Sequence, residues 1–104
     1  MVRIYLFCSG GMSSGMLVSR MRKTAESKGV EAEIKAFALS QLPKKLDNLY
    51  VALLGTQVAY MLPSVKKLCD DKKVPVAIIP SVDYGMMNGE NVLEFALKQI
   101  NHKN

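Results

Sequence analysis

A chain of 104 residues, 49% hydrophobic and 22% charged, has the composition of one globular domain with a modest core, which excludes a disordered or membrane-spanning chain. The net charge of +5 comes from 14 Lys and Arg scattered in short pairs such as Lys44-Lys45, Lys66-Lys67 and Lys72-Lys73. That is the pattern of a solvated surface rather than a nucleic-acid stripe, although it would steer an acidic or phosphorylated partner toward the chain.

Residues 2–8, VRIYLFC, are β-branched and aromatic and stop at glycines, as a strand buried on both faces does. The segment lacks the long apolar region and cleavage site of a signal peptide, so the chain is expected in the cytoplasm. After the loop SGGMSS, Ser13 or Ser14 caps a helix whose inward positions are Met16, Leu17, Met21 and Ala25, and Gly29 ends it. Residues 31–37, EAEIKAF, alternate like an edge strand. LSQLPKKLDN leaves room for one or two helical turns around Pro43. LYVALL (49–54) is a second buried strand closed by Gly55. Val58, Met61, Leu62, Val65, Leu68 and Cys69 then follow helical spacing, with Pro63 setting a kink or a fresh start near Leu62 and the main helix over 62–72. VPVAII (74–79) is the fourth strand, PSVDYGMMNG is a loop, and Val92, Leu93, Ala96, Leu97 and Ile100 form the inner face of a last helix before a frayed tail, 101–104.

Strands alternating with helices predict a single α/β domain over 1–104. Its four-stranded parallel sheet has the order 2-1-3-4 with helices on both faces, in the manner of flavodoxin-like and low-molecular-weight phosphatase architectures. Ligands of such sheets sit beyond the carboxyl ends of the strands where the order reverses, beside strand 1, which ends at Cys8. Cys8 and Cys69 lack C-x-x-C spacing and are expected as thiols, which argues against a zinc site or dithiol redox centre. No metal or other cofactor is expected.

A loop between a strand end and a helix start gathers backbone N–H groups around the positive end of the helix dipole. Gly10 and Gly11 free the backbone to curl, and Ser9, Ser13 and Ser14 add hydroxyl donors, so phosphate is the natural guest. The same field favours a thiolate at Cys8, a nucleophile for phosphorus. The alternative is a small buried cysteine beside an ordinary glycine-serine loop. The loop is neither a Walker A motif nor G-x-G-x-x-G. Cysteine-dependent phosphatases and arsenate reductases of similar architecture use C-x5-R, but the sixth residue after Cys8 is Ser14. Without that clamp the site suits a carrier that passes a phosphoryl group on. Hydrolysis would also need an acid, and Asp83 is the one well-placed carboxylate; its other reading is a turn residue. A non-catalytic anion-binding module is the third reading.

Along IYLFCSGGMSSGMLVSRMR, VALLGTQVAYMLPSVKKL and the YG of DYGMMNGENVL, the chain to about residue 101 resembles the IIB component of the lactose/cellobiose (chitobiose) family of the phosphoenolpyruvate-dependent sugar phosphotransferase system. The resemblance implies a cytoplasmic phosphocysteine carrier. Cys8 would accept phosphate from a phosphohistidine on a IIA protein and give it to a β-linked disaccharide such as cellobiose, chitobiose or lactose held by a membrane IIC component. It also puts Ser9, Gly10, Gly11, Met12, Ser13 and Ser14 on the phosphate-binding loop. Two departures are Gly10-Gly11, where members often have alanine then glycine, and Thr56, where proline is common ahead of Gln57.

Met12, Met86 and Met87, with Tyr84 and Gln57, are candidates for a rim that docks IIA and IIC, or else they pack inward. Tyr60 either reaches the loop or packs, Cys69 belongs to the core, and His102 is a solvated tail residue. A monomer suffices for a carrier that presents one face to two partners in turn.

Overall fold

A computed structural model describes residues 1–9 and 12–101, and of Met12 and Ser13 the backbone. Strands β1 (Val2–Cys8), β2 (Ala32–Ala38), β3 (Val51–Leu54) and β4 (Val76–Ile78) form one parallel sheet in the order β2-β1-β3-β4, as the sequence predicts. Helix α1 (Met12–Ser27) joins β1 to β2, and a 3₁₀ segment, Leu39–Lys44, leads to β3. A second 3₁₀ segment, Thr56–Met61, runs into α2 (Leu62–Asp71), so the chain starts afresh at Leu62 with Pro63 at the helix N-terminus. A short α3 (Ser81–Gly85) and α4 (Gly89–Asn101) complete the chain.

The continuous apolar run in β1 has a simple cause: both sides of the sheet are covered. Ile4 and Leu6 enter a core with Leu17, Met21, Leu93 and Ala96 of α1 and α4, while Phe7 packs with Leu42, Val65 and Cys69 on the opposite side. The edge strand β2 is held to β1 by side chains as well. Tyr5 donates its hydroxyl to Glu33 Oε2 at 2.6 Å, and this bond keeps the Glu33 carboxyl below the usual range.

Three expectations are corrected. Helix α1 starts at Met12, so Ser13 and Ser14 lie inside its first turn rather than capping it. Its buried stripe is Leu17, Val18, Met21 and Ala25, whereas Met16 is 59% exposed. At about 100° per residue, Met16 falls on the far side of that stripe and Val18 within it. The stretch 80–89 is not a plain loop: it holds α3 and a left-handed turn at Met87 (φ 53°). Five helical residues are too few to show a period. Gly29, with φ 70°, ends α1 as expected, its left-handed conformation letting Val30 N–H return to Ala25 O at 2.9 Å. His102 and the rest of the expected tail beyond Asn101 lie outside the described residues.

Candidate functional site

The sheet's hydrogen bonding continues one residue past β3 and β4: Gly55 N–H donates to Phe7 O at 2.8 Å and Ile79 N–H to Leu54 O at 2.9 Å. Cys8 pairs with Ala38 on its other side, so it stands at the carboxyl edge between β1 and β3, where the strand order reverses. By alternation along β1 it shares the α1–α4 side with Ile4 and Leu6. It is 1% exposed.

Helix α1 begins four residues later, and its first turn has no acidic residue. The unsatisfied N–H groups and positive dipole end of that turn form a field suited to an anion. Ser14, in the place where C-x5-R proteins carry arginine, is fully buried, with its Oγ 3.4 Å from the Tyr84 hydroxyl. The next arginine in the chain, Arg20, is used elsewhere: its Nη1 donates to Met86 O at 3.4 Å and Met87 O at 3.1 Å, tying α1 to the turn after α3.

Gly55 joins these parts. A Cβ built there would lie 2.9 Å from Gln57 Oε1, 3.3 Å from the Tyr84 hydroxyl and 3.4 Å from Cys8 Cβ. The space left by the missing side chain is therefore the meeting point of three residues that the sequence places on separate segments. Reading the sequence missed both this convergence and the Ser14–Tyr84 pair. The available signal was a glycine directly after a buried strand, at the edge where Cys8 ends its own.

The expected docking rim divides. Met86 is 70% exposed and Gln57 is exposed, whereas Tyr84 is buried and the half-buried Met87 packs against the core, the inward alternative. Tyr84 lies on α3 in the α1–α4 core, and Met87 follows in a left-handed turn and packs against the same core. Tyr60 points out, 77% exposed. The Asp83 carboxylate accepts from Asn91 Nδ2 at 3.0 Å, and its carbonyl accepts from Asn88 N–H at 2.9 Å, so it links α3 to α4. Ser9 is exposed. Gly10, Gly11 and the side chains of Met12 and Ser13 lie outside the described residues. Cys69 is buried in the opposite core, where burial pushes its thiol up to about 11. Among the described residues, no group of three or more His, Cys, Asp or Glu could hold a metal, and no helix is long and apolar enough to cross a membrane.

Fold and site together define a small parallel α/β protein with a cysteine at the switch point of its sheet, four residues ahead of a helix N-terminus. Residues 3–95 match the family described as PTS system, Lactose/Cellobiose specific IIB subunit, and the chain belongs to that family. It is a component of a sugar phosphotransferase system. It is 39% identical to the galactose-specific EIIB component of Lactococcus lactis subsp. cremoris, over 94% of this chain and 95% of that protein. It is 34% identical to the oligo-beta-mannoside-specific EIIB component of Bacillus subtilis, over 93% and 94%. The solution structure of the cellobiose-specific IIB component from Borrelia burgdorferi superposes with a TM-score of 0.82 at 39% identity, covering 99% of this chain and 94% of that one. A YwlE mutant from Bacillus subtilis, 12% identical with a TM-score of 0.55 over 96% of this chain and 94% of that one, shows likeness of fold alone. IIB components work with IIA and IIC partners. In the lactose-specific EIICB component of Lacticaseibacillus casei, a protein 25% identical over 90% of this chain, the matched part is 17% of the length.

Proposed function

We propose that Cys8 carries a phosphoryl group between two partners. A phosphohistidine on a IIA protein gives up its N–P bond as the Cys8 S–P bond forms, and the thiol proton passes to the histidine nitrogen. In the second step the S–P bond breaks as a sugar hydroxyl, held by a membrane IIC component, forms the O–P bond, and the hydroxyl proton passes to the departing Cys8 sulfur to restore the thiol. The sugar is a β-linked disaccharide of the cellobiose, chitobiose or lactose type. Ser9, Gly10, Gly11, Met12, Ser13 and Ser14 form the phosphate loop, and their N–H groups stabilise charge on the phosphoryl oxygens during an in-line exchange. Exposed Met86 and Gln57, together with Met12, belong to the face that meets both partners. The chain works in the cytoplasm as a monomer and takes no part in nucleic-acid binding.

One observation carries this reading: a buried cysteine at the switch point stands four residues ahead of a helix whose first turn holds a buried serine in place of the clamping arginine. Donors without a guanidinium hold a phosphoryl group less tightly, and burial keeps water from the S–P bond. Hydrolysis by Cys8 and Asp83 is the weaker reading, because the Asp83 carboxylate is engaged by Asn91. Cys8→Ser is the test, in sugar phosphorylation reconstituted from phosphoenolpyruvate, the general phosphotransferase proteins, IIA and membranes carrying IIC. The expected outcome is loss of sugar phosphate by a factor of about 10³ or more, as for loss of a nucleophile. Activity within a few-fold of wild type would remove Cys8 from the relay.

A further inference from the structure

Apart from the tyrosine it meets, Ser14 is the one buried residue with a hydroxyl, amide or charged side chain among the described residues, and alanine would fill the same space without a hydroxyl to satisfy. Its partner is the Tyr84 hydroxyl, supplied by a residue 70 positions away in the chain. Tyr84 is itself anchored on three sides. Its ring lies in the α1–α4 core, its N–H donates to Pro80 O at 2.9 Å, and the turn that follows is fastened to α1 by Arg20. The hydroxyl also borders the space above Gly55 whose other wall is Cys8 Cβ. A post anchored in the core thus touches the first turn of α1 and borders the same space as Cys8.

We infer that Ser14 and Tyr84 act as a positioning pair for phosphoryl transfer, fixing the first turn of α1 so that its N–H groups aim at a phosphoryl group on Cys8. The inference rests on the phosphocysteine reading above. The resting separation of 3.4 Å is long for two hydroxyls, as hydrogen bonds in resting sites often are before the reacting group arrives. Misplacing donors by even an ångström slows a reaction while leaving the binding of a protein partner untouched. The pair is therefore expected to govern the rate of transfer rather than the affinity for IIA.

The test is single-turnover transfer from phosphorylated IIA to the wild-type chain, Tyr84→Phe, Ser14→Ala and the double variant, with the phosphate mapped by mass spectrometry and melting temperatures measured alongside. Tyr84→Phe keeps the ring, so the core stays filled. Each single variant is expected to slow transfer about tenfold, the worth of one net hydrogen bond, with the half-saturating IIA concentration unchanged. The double variant should be no slower than either single one, because both remove the same contact. Wild-type rates in either single variant, losses that multiply, or a change confined to half-saturation would each overturn the pair's role. The wild-type arm tests the underlying reading separately. Absence of phosphate on Cys8 there overturns both, whereas phosphate on Cys8 with an unaffected Tyr84→Phe overturns the positioning role alone.

Discussion

Cys69 lies on the inner face of α2 with no exposed surface, and burial, helped by neighbouring Asp70 and opposed by Lys66, holds its thiol at about 11. The raised value means that the fold favours the neutral thiol. That contribution to stability is fully present below the unfolded value of about 8.5 and is lost as pH rises toward 11. At pH 8 Cys69 is protonated and covered, so iodoacetamide is expected to reach it only when the chain unfolds; intact-mass kinetics with and without denaturant check this. Labelling of Cys69 in native buffer as fast as in denaturant would contradict it. Cys69 reads correctly as core from sequence, because its helical neighbours Val65 and Val58 point the same way. Cys8 is legible for another reason: a glycine-serine turn ahead of an amphipathic stretch marks a strand end facing a helix start. The residues around Cys8 are less legible. Ser14 looks like a helix cap until its partner is known, and that partner is too distant in sequence for any local pattern to indicate.

Elements and their connections follow the same logic. Apolar runs marked β1, β3 and β4 and alternation marked the edge strand β2, while the sheet order followed from the alternation of strands and helices. Such patterns failed where packing depends on shape rather than hydropathy. Gly89 opens α4 and is buried against the middle of α1, where a Cβ would come within 2.6 Å of the Arg20 carbonyl carbon and 2.7 Å of Met21 N. These are backbone atoms and cannot swing aside, so Gly89→Ala must push α4 away from α1. The expected cost is about 3 kcal/mol, at the upper end for overpacking, and roughly 10–20 °C in melting temperature by calorimetry. A melting temperature within a few degrees of wild type would show that the two helices are not held this closely. In sequence Gly89 looks like one more turn residue in PSVDYGMMNG. The approach of α1 that requires it is a tertiary fact, as is the inward lie of Tyr84.

At the scale of the whole molecule, two cores on either side of one sheet leave the carboxyl edge as the place where segments from every strand crossover meet. Cys8, the start of α1, Gly55, Gln57 and α3 all arrive there because parallel strands point the same way. Exposed Met16, Val82 and Met86 lie on elements that start at this same edge, and the net charge of +5 favours approach of a phosphorylated protein. Because donor and acceptor both come from other proteins, the chain alone should neither take phosphate from phosphoenolpyruvate nor release inorganic phosphate. The most direct measurement is therefore to incubate it with phosphoenolpyruvate, the general phosphotransferase proteins and a panel of IIA proteins, and then to map phosphate by mass spectrometry before and after adding sugar and IIC membranes. The expected result is one phosphate on Cys8, stable until both sugar and IIC are present and then lost to the sugar. Phosphate released as inorganic phosphate without them, or no phosphate on Cys8 with any IIA protein, would contradict the carrier mechanism.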